Sequence, residues 1–131
     1  MDTLEIVFRI FGIRGGSSRL DAPVGGDDHM TMYVILWRFR PVGDRESEFE
    51  RAYGPSGEWA LLFRRDDGYL GTELLRRSGD SREYLTLDRW VSRTAYETFR
   101  SRFSSEYLRL DRLLEDLTEE ETPLGAFEVL P

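Results

Sequence analysis

The chain has 131 residues, a formal net charge of −7, 40% hydrophobic and 33% charged residues, which suits one soluble domain with one core. The acidic balance excludes a general nucleic-acid binder, whose surface must neutralise phosphates, and no apolar run reaches the roughly 18 residues that a membrane span needs. Cys, Lys, Asn and Gln are absent and His29 is the only histidine, so thiolate nucleophiles, disulfides, Cys/His zinc sites and lysine Schiff bases are excluded.

Residues 1–29 stand apart as an N-terminal extension or linker, with the folded domain expected over 30–131. The apolar run Leu4 to Ile13 has neither a basic flank nor a small-residue cleavage site, so it is not read as a signal peptide and the protein is placed in the cytoplasm. It is an extra strand or translated upstream sequence, since Met30 and Met32 both offer a start. RGGSSRLDAPVGGDDH follows and has the composition of a linker. Asp27-Asp28-His29 at its end is read as solvated linker, with weak binding of a divalent ion as the alternative.

From Met32 the pattern is regular. MYVILWRFR alternates and predicts a first strand, closed by PVGD. Asp44 is expected to cap a helix that buries Phe49, Ala52 and Tyr53. Gly54-Pro55-Ser56-Gly57 breaks it, and Trp59, Leu62 and Phe63 mark a second helical piece ending at Asp67-Gly68. Tyr69 to Arg77 and Glu83 to Trp90 are strands joined by an SGDS turn. Ser92 caps a helix whose stripe is Ala95, Tyr96, Phe99 and Phe103. Helical periodicity continues through Leu110, Leu113, Leu114 and Leu117. Glu119-Glu120-Glu121 reads as a solvated helix end, Thr122-Pro123 as its stop, and LGAFEVL as the fourth strand.

The order βαββαβ predicts an α+β, ferredoxin-like fold with a four-stranded antiparallel sheet and helices on one face. In the third strand Leu85, Leu87 and Val91 are aliphatic and are assigned to the helix layer. Tyr84, Thr86, Asp88 and Trp90 alternate with them and are assigned to the other face, as the lining of a half-wet cavity. Candidate site residues follow from that assignment. Trp90 is a packing residue or a flat wall for a planar aromatic ligand. Tyr96 belongs to the helix stripe or to the cavity mouth. Arg38 snorkels to water, pairs with a carboxylate, or faces the cavity to stabilise an anion. Tyr84 and Thr86 are candidate ligand contacts. Glu73 is a base, or the partner of an arginine in a salt bridge.

The segments MYVILWRFRPVGDRESEFERAYG, GYLGTELLRR and YLTLDRWVSRTAYETF resemble the antibiotic biosynthesis monooxygenase family, over about residues 32–130. The resemblance implies a dimeric α+β barrel: a homodimer in which two ferredoxin-like units pack their open sheet faces together around a cavity. It also implies an activity, since the better-understood members oxidise polycyclic phenols with O₂ and no flavin, haem or metal, while others degrade haem. By position, Trp90 matches the family's strand-three tryptophan and Tyr96 the tyrosine six residues later. Thr86 falls where the oxygenases carry asparagine. Arg109 and Arg112 both lie near the family's helix arginine, and Arg100 lies near the iron-binding histidine of the haem-degrading branch. No cofactor is expected, because no thiolate or clustered imidazole is present to hold iron or zinc and no Gly-rich phosphate loop precedes a helix. Two functions stay open: a cofactor-independent monooxygenase acting on a phenolic or polycyclic aromatic small molecule, and a non-catalytic dimeric module that binds a hydrophobic molecule or supports assembly.

Overall fold

The computed structural model describes residues 31–79 and 81–131. The extension 1–29, with Leu4 to Ile13 and Asp27-Asp28-His29, lies outside the described residues, as do Met30 and Asp80 of the hairpin turn. The elements run β1 (Tyr33–Pro41), α1 (Glu46–Tyr53), α2 (Glu58–Phe63), β2 (Tyr69–Arg76), β3 (Tyr84–Trp90), α3 (Arg93–Arg102), α4 (Ser104–Leu114), a 3₁₀ turn (Glu115–Leu117) and β4 (Thr118–Glu128). The antiparallel sheet has the order β2-β3-β1-β4, the ferredoxin-like arrangement, with the helices on one face.

Local chemistry explains most boundaries. Ser92 Oγ accepts the Ala95 N–H at 3.1 Å and starts α3. Gly57 sits against the end of α1, where an added Cβ would lie 2.2 Å from the Arg51 carbonyl oxygen, so only glycine permits α2 to begin there. Asp44 does not cap α1. Arg45 holds the N-cap position without a side-chain cap, and its guanidinium instead pairs with Glu48 at 2.8 Å across the first turn.

Two further expectations are corrected. Glu119-Glu120-Glu121 is not a helix end but the start of β4, in register with β1, where Glu120 lies 3.7 Å from Arg40 and Glu119 lies 3.3 Å from Arg82. Arg40 across the ladder and Arg82 just before β3 thus accommodate a run that local propensity assigns elsewhere. Leu113 is 71% exposed, and the inner stripe of α4 is Tyr107, Leu110 and Leu114. The helix breaks at Phe103, which rotates the stripe away from the register that extrapolation from α3 suggests.

The core is an aromatic slab between sheet and helices. Tyr33, Ile35, Trp37 and Phe39 of β1 and Tyr84 and Trp90 of β3 pack against Phe49, Tyr53, Trp59, Phe63, Phe99 and Tyr107. This reverses the faces expected for β3. Tyr84, Thr86 and Trp90 are buried under the helices, whereas Leu85 and Leu87 lie on the open face with Leu36 and Arg38. A sheet–helix gap is wide, and rings fill it more completely than leucines do.

Candidate functional site

Between the sheet and the helices lies a cavity with about 30 Å³ of space for water-sized contents, lined by Trp37 and Phe39 of β1, Thr86 and Asp88 of β3, Tyr53 of α1, Trp59 and Phe63 of α2, and Tyr107 of α4. It lies on the helix side of the sheet and not on the open sheet face. Period-two alternation delivers Trp37, Phe39, Thr86 and Asp88 to it, because Trp37 and Thr86 are cross-strand partners. The break after α1 brings Trp59 back over Tyr53, with ring centroids 6.3 Å apart, and Tyr107 closes on Trp59 at 4.9 Å.

Asp88 is the one charged group in this lining. Burial among the rings penalises its ionised form and pushes its pKa up to about 7, although a hydrogen bond from Thr72 Oγ1 at 2.7 Å opposes the shift. That is the only hydrogen bond reaching the carboxyl among the described residues. A carboxyl poised near neutrality inside an apolar pocket is suited to accept or deliver a proton. Sequence reasoning placed Asp88 beside the cavity but did not select it as a base. The signal was available: a lone carboxylate on the amphipathic side of a central strand, two residues from Trp90 and two from Thr86.

The proposed site residues divide. Thr86 is buried and lines the cavity. Trp90 is 0% exposed and stands one ring behind the wall, 5.6 Å from Phe63, 5.4 Å from Tyr96 and 5.1 Å from Phe99 between centroids. Its indole N–H has no hydrogen-bond partner among the described residues. Tyr96 is buried, accepts from Arg100 Nη1 at 2.9 Å, and has its phenol pKa raised chiefly by burial. Tyr84 is buried against Phe49 and donates to Glu50; burial, then the Glu50 hydrogen bond, raise its pKa to about 12. It does not line the cavity.

Arg38 and Glu73 lie elsewhere. Arg38 is on the open face, 4.0 Å from Glu83. Glu73 is exposed and pairs with Arg89 at 3.1 Å. No arginine lines the cavity. Arg109 and Arg112 are both exposed, while Arg100 points inward, its guanidinium carbon 3.9 Å from the Tyr107 ring centre. Arg100 therefore acts on the cavity only through the ring that lines it. Among the described residues no group of three or more His, Cys, Asp or Glu gathers to hold a metal ion, and no helix is long and apolar enough to cross a membrane.

Several solved structures share this fold. SnoaB from Streptomyces nogalater, described as a cofactor-independent oxygenase, is 21% identical, with a TM-score of 0.55 over 77% of this chain and 95% of its own. PA3566 from Pseudomonas aeruginosa is 17% identical, with a TM-score of 0.53 over 79% of this chain and 96% of its own. SO0527 from Shewanella oneidensis is 14% identical, with a TM-score of 0.56 over 76% and 92%. No curated protein matches the chain. The family model for antibiotic biosynthesis monooxygenases matches residues 32–107, a span that runs from β1 into α4 and holds every residue of the cavity lining, and the chain belongs to that family.

Proposed function

We propose that this protein is a cofactor-independent oxygenase of phenolic polycycles, with Asp88 as the base. The observation that carries this is a single proton-accepting carboxyl inside an aromatic cavity. Asp88 takes a proton from the substrate, and the rings around it disfavour water and favour a flat, electron-rich anion. That anion reduces O₂ directly: a CH₂ flanked by two phenolic rings becomes a carbonyl, and the second oxygen atom leaves as water, the two protons lost from carbon being matched by two taken up. Thr86 and Tyr107 line the same space and carry hydroxyls of the kind that can donate to a developing oxyanion. Trp90 supports the wall through Phe63, and Tyr96 does so through Trp90; neither is assigned a contact with the substrate.

The size of the cavity favours a second reading. Ligand pockets usually hold about 300–1,000 Å³, far above the roughly 30 Å³ of free space here. A polycycle enters only if rings of the lining move apart, and a site that stays shut is a core, which leaves the module without catalysis.

Oxygen uptake with 1,8-dihydroxyanthrone separates the two. The oxygenase consumes one O₂ per anthrone and yields the anthraquinone, and Asp88→Asn lowers kcat at least 100-fold. Uptake no faster than autoxidation in buffer removes the catalytic reading.

The homodimer is also a proposal for this chain. The open face presents Leu36, Leu85 and Leu87 with the more exposed Leu75 and Phe127, an apolar patch of the kind a second copy covers. It does not contain Tyr84 or Trp90. Sedimentation is expected to give a dimer at micromolar concentration and a folded monomer for Leu87→Asp. A wild-type monomer would overturn it.

A further inference from the structure

Asp88 has to return to its ionised form before the next turnover. The overall reaction releases no net proton, so a path to solvent serves Asp88 by exchange, letting the captured proton out while another is taken up into the product water. Asp88 is half-buried on an internal strand, six aromatic rings share its cavity, and its one hydrogen bond among the described residues faces β2. A route out is built into β2. Thr72 Oγ1 donates to Asp88 Oδ1 at 2.7 Å, and the Tyr69 hydroxyl lies 2.5 Å from the same Thr72 oxygen. Thr72 has one hydroxyl proton, which the carboxylate engages, so Tyr69 is the donor to Thr72. The chain runs from Tyr69 through Thr72 to Asp88.

Tyr69 and Thr72 are three residues apart, which in a regular strand places them on opposite faces. A bulge reverses this. Tyr69 pairs with Trp90, Gly71 with Arg89 and Thr72 with Asp88, so one extra residue lies between Tyr69 and Gly71 and both side chains face the helices. Gly71 has φ +149°, a conformation rare for other residues, although an added Cβ there would meet nothing. The constraint is therefore conformational and serves the bulge. Bulges beside active sites commonly re-aim a side chain. Here the bulge also ends the chain at an edge strand, on a tyrosine that is only partly buried.

We propose that Tyr69 and Thr72 are positioning residues that hold Asp88 and form its proton exit to solvent at the β2 edge. This rests on Asp88 as the base. With the carboxyl protonated, the hydroxyls point outward, and release is a shift of three protons. Asp88 gives its proton to Thr72 Oγ1, Thr72 gives its own to the Tyr69 oxygen, and Tyr69 gives its own to water. Three O–H bonds break and three form, no electrons change hands, and the resting directions return. The other titratable groups near the chain are Tyr53 of α1, Tyr96 of α3 and Tyr107 of α4 around the cavity, with Arg64 following α2 beside Tyr69.

The test is an NMR titration of the full chain with ¹³C-labelled aspartate, which needs no substrate. Thr72→Val is expected to raise the Asp88 midpoint by about one pH unit and Tyr69→Phe by about half a unit, because each removes support for the ionised carboxylate. Thr72→Ser restores it. Tyr69→Phe keeps the ring contacts with Phe63 and Trp90, so folding is not at issue. An unchanged midpoint in Tyr69→Phe overturns the relay, whether or not Thr72→Val shifts it. If the wild type oxidises 1,8-dihydroxyanthrone, Tyr69→Phe should lower kcat about 10-fold at unchanged KM, and an unaltered kcat also overturns it. Expected titrations in a protein that consumes no O₂ remove the oxygenase and leave the hydrogen-bonded exit in place.

Discussion

The two faces of the sheet are made from the same strands and do different work. Under the helices Trp90, Tyr84 and Phe39 are at most 3% exposed, whereas on the opposite face Leu75 and Phe127 are 43% and 49% exposed. The covered face holds rings, Thr86 and the carboxyl of Asp88. The open face holds leucines and the ion pairs Arg38–Glu83 and Arg89–Glu73. Hydrophobic character by itself does not say which face is the interior. The covered face of this sheet must fill a broad layer and surround a reactive group, which rings with polar edges accomplish. The open face presents aliphatic surface interrupted by paired charges, which suits association better than chemistry.

Truncation on each face puts the contrast to its strongest test. Phe99 is fully buried against Trp90, Phe63 and Phe103, and Phe99→Ala is expected to cost about 3–5 kcal/mol in denaturant titration. Leu75→Ala on the open face should stay within about 0.5 kcal/mol for the protomer. Equal losses would mean that both faces are packed within one chain.

The polar content of the covered face has its own signature. The pKa of Asp88 is raised to about 7 from the ordinary 3.8. Between these values the native state binds the proton more tightly than the unfolded state does. The stability contributed by this group is therefore greatest below about pH 4, falls as the pH rises toward 7 and is flat above, with a total change on the order of a few kcal/mol. Asp88→Asn should remove this component of the pH dependence, as chemical denaturation across pH 4–8 would reveal. A slope that persists in the variant belongs to other groups.

A smaller effect than that of Phe99→Ala concerns Trp90. Its ring packs on all sides, but its N–H is unpartnered among the described residues. Trp90→Phe loses volume and also loses a buried, unsatisfied donor, so the net cost should be about 1–2 kcal/mol. A larger loss would mean that the indole N–H has a partner in the folded protein.

The order of elements, the Ser92 cap and the break at Gly54–Gly57 were legible in the residues, because each depends on neighbours within a few positions. The resemblance carried by YLTLDRWVSRTAYETF led to the right family for the same local reason. Period two also grouped Tyr84, Thr86, Asp88 and Trp90 on one side of β3 correctly. What alternation cannot supply is the sign: it separates two faces without saying which one the helices cover. That depended on α1, α2, α3 and α4 all closing over the rings. The separation of Arg38 and Glu73 from the cavity follows from that same choice of side. The meeting of Asp88 with Thr72 and Tyr69 was hidden for a different reason. One glycine bulge shifts the register of β2, and only strand pairing reveals which residues it brings together. The sequence by itself determined which residues travel together along each strand, since backbone geometry decides that. The tertiary structure decided which set became the interior and which groups met Asp88 there, since both depend on packing between segments far apart in the chain.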